Sequence, residues 1–131
     1  MFYTEILKMQ LIKKNEDFRK CYKDGRSRAD RYLAVYVLGN GTEKNRLGVS
    51  VSKKVGNSVV RHRIKRLVRE SFRLNEKIMS DSGSDIVVVG RRSANGASYY
   101  EIERALLKNL SRLGCIKEDS SINNSKEIPR L

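Results

Sequence analysis

One window constrains this chain more than any other: Lys53-Lys54-Val55-Gly56-Asn57-Ser58-Val59-Val60-Arg61-His62-Arg63-Ile64-Lys65-Arg66-Leu67-Val68-Arg69-Glu70-Ser71-Phe72-Arg73. At about 100° per residue, Arg61, Lys65, Arg69, His62, Arg73 and Arg66 fall within roughly 140° of a helical circumference. Val60, Ile64, Leu67 and Val68 fall outside that arc, and Arg63 sits on its flank. A helix with this pattern buries one side in a core and presents a cationic ridge on the other. Like charges recur at i, i+4 in Arg61/Lys65, Lys65/Arg69 and Arg69/Arg73, each costing roughly a few tenths of a kcal/mol on an isolated helix. A merely solvated face mixes signs, whereas Glu70 is the only acid between Lys53 and Asn75. Stability alone does not favour such a ridge, so it predicts a polyanionic partner. Guanidinium forks suit phosphate oxygens and stack on bases. Lys53, Lys54 and the Gly56-Asn57 turn lie just before the helix, where unpaired backbone N–H groups add to anion binding.

The whole chain carries the same sign: 28 Lys+Arg against 15 Asp+Glu over 131 residues leave a net charge of +13. Nucleic acid and an anionic membrane are the two partners that carry matching charge. The longest apolar stretch, Tyr32 to Leu38, is far short of the roughly 18 residues expected of a spanning helix. The start, Met-Phe-Tyr-Thr-Glu, lacks a basic region followed by an apolar run, so a cytoplasmic protein is expected. The apolar side of the basic helix is short and aliphatic, suited to packing on a sheet rather than to entering lipid. Cys21 and Cys115 stand far apart and read as reduced, buried thiols rather than a disulfide or zinc framework.

Along the chain, Asn15 is placed to cap a first helix, with Glu16 and Asp17 in its first turn and Gly25 as its stop. Phe18, Cys21 and Tyr22 share one face of it at i, i+3 and i+4. Period-two patterning from Tyr32 to Leu38 and from Arg46 to Ser52, around Gly39-Asn40-Gly41, predicts a β-hairpin. In its second strand Gly48, Ser50 and Ser52 form a small polar face that is expected to lie open to a ligand. The basic helix runs to about Asn75, a buried strand follows at Ile86-Val87-Val88-Val89, and a closing helix runs from about Ser98 to Leu113, stopped by Gly114. The expected organisation is one domain over residues 1–114 and a polar, disordered tail over 115–131.

The chain offers poor materials for protein-based RNA cleavage. His62 is the only histidine, which rules out a paired-imidazole ribonuclease. A two-metal site needs clustered acids, whereas Glu16, Asp17, Glu70, Asp81, Asp85, Glu101 and Glu103 read as caps and surface charges.

The run from Ser52 to Glu70 strongly resembles the arginine-rich motif of the bacterial ribonuclease P protein component, and the likeness extends from the Lys14-Asn15-Glu16-Asp17-Phe18 helix start over about residues 9 to 113. The resemblance implies an α+β fold, an α-β-β-β-α-β-α two-layer sandwich with a left-handed βαβ crossover, like the second domain of ribosomal protein S5. Sequence alone favours the common right hand. It also implies a protein subunit of ribonuclease P, an endoribonuclease holoenzyme in which the RNA subunit carries the chemistry and binds most of the Mg2+. The partners would be that RNA subunit and precursor tRNA, with no membrane and no protein partner required. Lys53, Lys54, Asn57, Arg61, His62, Arg63, Lys65, Arg66 and Arg69 would contact the RNA subunit. Phe18, Tyr22, Tyr36, Ser50 and Ser52 would line a cleft for the single-stranded 5′ leader, where bases stack on aromatic faces for roughly 1–3 kcal/mol each. The family usually has Asn where this chain has His62, which still offers a hydrogen-bond donor. The competing readings are a general RNA-binding or ribosome-associated module and a membrane-surface carrier.

Overall fold

Residues 10–80 and 82–117 are described by a computed structural model. Helix α1 spans Asn15–Asp24, strand β1 Arg26–Ala29, β2 Leu33–Gly39, β3 Arg46–Val51, helix α2 Ser58–Leu74, strand β4 Ser84–Gly90 and helix α3 Tyr99–Arg112. Short 3-10 turns at Glu76–Ile78 and Arg92–Ala94 flank β4.

The strand order is β1-β2-β4-β3. β4 pairs antiparallel with β2 and parallel with β3, so β3-α2-β4 is the βαβ unit of the implied fold. This corrects the expected β2–β3 hairpin, because β4 lies between those strands. Asp85, Ile86, Val87 and Val88 are buried on both faces of the sheet. Such an unbroken apolar run belongs at a sheet centre, and a β2–β3 hairpin would push it to an edge. The loop after β2 is held by side-chain bonds instead of a tight turn: Asn40 accepts from the Thr42 amide at 2.9 Å and donates to the Lys44 carbonyl at 3.0 Å.

Odd positions of β2 and β3, with Ile86 and Val88 of β4, face α2 and α3. These layers form the two-layer sandwich, with Leu33, Leu47, Ile64, Ile86, Ile102, Leu106 and Leu110 fully buried. Helix α1 crosses the other face, where Phe18 and Cys21 pack with Ile12, Tyr36 and Val87. It starts one residue earlier than its composition suggests. Lys14 occupies the N-cap without a side-chain bond, and Asn15 is the first helical residue rather than the cap.

The caps of α2 and α3 follow the sequence closely. The Asn57 side chain accepts from the Val60 amide at 3.0 Å, and Ser98 and Glu101 make a reciprocal capping box. Gly114, at φ +77, ends α3 in the left-handed region that favours glycine. Packing continues past the expected 1–114 boundary. Cys115 is buried, Ile116 pairs with Met79, and the Lys117 amide donates to the Ile78 carbonyl at 2.7 Å. Three residues assigned to the polar tail thus belong to the folded unit, because Cys115 and Ile116 have apolar surface to bury. Positions 118–131 of that tail lie outside the described residues.

Candidate nucleic-acid interface

Helix α2 divides as its periodicity predicts. Ile64, Leu67, Val68, Ser71 and Phe72 are buried, while His62, Arg66 and Arg69 are exposed and Arg61, Arg63 and Lys65 are half-buried. Lys53 and Lys54 are exposed on the turn that enters the helix. Arg61 reaches back along that turn, its Nε donating to the Gly56 carbonyl at 3.2 Å. Asn57 spends its side-chain oxygen on the helix cap rather than holding it free. The first turn of α2 contains no acid, so the partial positive charge of its N-terminus adds to the ridge.

Beside the ridge, between α1 and the β3 edge, lies a groove of about 390 Å³ lined by Asn15, Phe18, Arg19, Tyr22, Val49, Ser50, Val51 and Lys65. Lys65 belongs to both the ridge and the groove. Tyr22 is 40% exposed, and its ring meets Tyr36 edge-on at 5.0 Å and 76°. Burial pushes the Tyr22 phenol up, with a hydrogen bond to Ser50 pulling the other way. Three of the five cleft residues thus line the groove, and Tyr36 supports one of its walls.

Ser52 does not join them. It lines a second pocket of about 500 Å³ with Arg31, Lys54, Val55, Gly90, Arg91, Arg92 and Ser93, past the end of β3. The small face of β3 is not open throughout. A Cβ on Gly48 would lie 2.7 Å from Phe18 Cζ and 3.1 Å from Ile12 Cβ, so α1 and the segment before it seal that position, and of this face only Ser50 opens to the groove.

Among the acids, Asp85 is the exception to the surface reading. It is buried and accepts Arg46 in a two-point fork, Nε to Oδ1 at 2.8 Å and Nη2 to Oδ2 at 2.6 Å, with the Asn40 amide at 2.9 Å. Burial alone would raise its carboxyl, but these bonds hold it below the usual carboxylate range. Asp17 also pairs with Arg46, at 3.6 Å. Glu101 is committed to the α3 cap and accepts the Tyr32 hydroxyl at 2.9 Å. Glu103 accepts from Asn75 and Tyr99. Asp81 lies outside the described residues. Sequence reasoning missed the Arg46–Asp85 pair because its members are far apart in the chain and neither sits in a recognisable motif.

The described residues bring no three His, Cys, Asp or Glu side chains together. The acids already bound by Arg46 and by the α3 cap are not arranged as a Mg2+ site. No helix among the described residues is long and apolar enough to cross a membrane.

The model of the family described as Ribonuclease P matches residues 7–114. A ribonuclease P protein component of Lachnoclostridium phytofermentans is 56% identical over 96 residues, covering 73% of this chain and 82% of its own. One of Clostridium kluyveri is 50% identical over 107 residues, covering 81% and 96% respectively. The chain belongs to the ribonuclease P protein family. Its fold matches solved family members: the Staphylococcus aureus RNase P protein at TM-score 0.76 and 38% identity, covering 84% of this chain and 100% of that one. The Thermotoga maritima RNase P protein aligns at TM-score 0.69 and 31% identity, covering 76% and 93%. As a family member it is a protein subunit of ribonuclease P, an endoribonuclease holoenzyme of tRNA processing. Its partner is the ribonuclease P RNA, and ribonuclease P depends on Mg2+.

Proposed function

We propose that the α2 ridge docks on the RNA subunit while the α1–β3 groove holds the single-stranded 5′ leader of precursor tRNA, so that the protein steers endonucleolytic removal of the leader. One observation carries the reading: Lys65 is shared by the cationic ridge and the groove that Phe18 and Tyr22 line. A single rigid body therefore offers a phosphate-binding surface and a stacking surface side by side, the two requirements for gripping folded RNA and a loose strand together.

On the ridge, Arg61, His62, Arg63, Lys65, Arg66 and Arg69, with Lys53, Lys54 and Asn57, meet backbone phosphates of the RNA subunit. In the groove, Phe18 and Tyr22 stack leader bases and Tyr36 fixes the Tyr22 ring. Ser50 and Asn15 supply hydrogen bonds that no particular base requires. The Mg2+ ions sit mainly on the RNA, which carries the chemistry, and the protein contributes binding and orientation. This work belongs to the cytoplasm, where precursor tRNA is made.

Reconstitution tests the proposal. Purified protein mixed with the cognate RNA subunit and a precursor tRNA at low Mg2+ restores leader removal. No gain over the RNA subunit alone contradicts it.

A further inference from the structure

We propose that the outer face of β1 and α3 is a second RNA-binding surface, which takes the phosphate backbone of a base-paired segment of an RNA other than the RNA subunit. Arg26 and Arg28 of β1 stand opposite Val37 and Val35 in the sheet register. Val35 and Val37 are buried in the core that α3 covers, so both arginines rise on the α3 side of the sheet edge. Burial raises the Cys115 thiol, and the charge of Arg26 offsets part of that rise, which places Arg26 beside the end of α3. On the helix, Arg104, Lys108 and Arg112 recur at i, i+4 and i+8 and fall within roughly 80° of circumference over about 12 Å of axis. Glu101, on the same flank, reaches Tyr32 just before β2, whereas Glu103, on the opposite flank, reaches Asn75 at the end of α2. The row of cations therefore looks toward β1.

All five side chains are exposed, and none makes a hydrogen bond or ion pair with a described residue. β1 contains no acid. Both acids of α3 are engaged, Glu101 by Ser98 and Tyr32 and Glu103 by Asn75 and Tyr99. Like charges at i, i+4 in Arg104/Lys108 and Lys108/Arg112 weaken the helix slightly. A charged strand edge resists pairing with other strands, and Arg112 complements the helix C-terminus, but neither role calls for Arg104 and Lys108.

Composition selects the partner. All but Lys108 are arginines, whose forks suit phosphate oxygens. A protein interface places apolar side chains at its centre, and of the large apolar side chains exposed among the described residues only Tyr100, one turn before Arg104, stands on α3. A helix lying on a membrane inserts its apolar side, which α3 buries in the core. Two facing rows of cations suit the fixed backbone of an RNA double helix, which is recognised through its phosphates and shape. α3 packs over β1 and β2, and α2 over β3 and β4, while β1 and β3 are the two edges of the sheet. The face thus stays free when α2 docks on the RNA subunit, and to that extent the proposal rests on the ridge reading above.

The probe is a fluorescein-labelled RNA hairpin unrelated in sequence to tRNA, titrated by anisotropy into the reconstituted holoenzyme and, for background, into the RNA subunit alone. The wild-type holoenzyme binds it more tightly than the RNA subunit does. Combining Arg104→Ala, Lys108→Ala and Arg112→Ala lowers hairpin affinity roughly tenfold and makes its salt dependence shallower. Arg28→Ala loses a smaller part, and Arg104→Lys with Arg112→Lys keeps most of the affinity. Affinity for the RNA subunit and cleavage of precursor tRNA in the absence of the hairpin stay at the wild-type level, which also shows that the variants fold. Unchanged hairpin affinity overturns the proposal. An equal loss of affinity for the RNA subunit assigns the face to that RNA and overturns it too. So does a triple variant that loses binding to phosphatidylglycerol vesicles while keeping the hairpin, since the face then belongs to a membrane. The ridge reading fails separately, if Arg69→Ala leaves affinity for the RNA subunit intact.

Discussion

Asp85 shows how one side chain can be misread from sequence and yet organise its surroundings. Standing next to a polar Ser/Asp/Gly stretch in the sequence, just before the apolar run Ile86–Val89, it looks like a surface acid, but the fold places it in β4 and buries it beside β3, where Arg46 and Asn40 bind it. Removing its charge leaves Arg46, among the described residues, with the longer contact to Asp17 as its one ion pair. Asp85→Asn should therefore cost about 2–3 kcal/mol at neutral pH, less than a fully buried pair because the Arg46 side chain is 30% exposed. The folded carboxyl lies below its ordinary value. Its stabilising share is thus complete above the unfolded carboxylate range, about pH 4, and is lost as pH falls through the depressed value. Urea unfolding of wild type and variant at pH 7 and toward pH 3 should show the stability gap closing on the acid side. An equal gap at both pH values would contradict this account of the pair.

At the scale of the element, helices were more legible than strand pairing. The α2 ridge and its buried side, the Asn57 cap and the Ser98–Glu101 box are set by residues within a few positions of each other, so local spacing reveals them. Strand order depends on which segment most needs burial on both faces. Only the competition between β3 and Ile86–Val89 of β4 decides that, and a turn sequence such as Gly39-Asn40-Gly41 points to the wrong neighbour. The groove was half legible for the same reason: Phe18 and Tyr22 share a helix face by spacing, whereas the sealing of Gly48 and the departure of Ser52 require the assembled sheet. The division of α2 can be tested directly. Ile64→Ala empties a fully buried position and should cost about 2–5 kcal/mol. Arg69→Ala touches only the exposed ridge and should change stability by less than about 0.5 kcal/mol while weakening affinity for the RNA subunit severalfold. Denaturation and RNA-binding titrations of both variants should give opposite orderings. A destabilised Arg69→Ala, or one with unchanged RNA affinity, would break the separation.

The molecule as a whole joins a cationic ridge, an aromatic groove and a second cationic pocket around the exposed edge and end of β3. No single motif encodes that neighbourhood, which arises because α1 and α2 lie on opposite faces of the sheet and meet beside the strand that β4 displaces to the edge. Its native cysteines favour a direct test. Cys21 and Cys115 are buried, and burial pushes the Cys21 thiol up to about 11 and raises Cys115 as well, so a cysteine introduced on the surface is the reactive one. A photoreactive crosslinker placed at Arg66→Cys or Arg69→Cys in the holoenzyme should join the RNA subunit, while the same label at Lys108→Cys, exposed on α3, should not. Crosslinks from Lys108→Cys with both ridge positions silent would contradict the assignment of α2 as the RNA-docking surface.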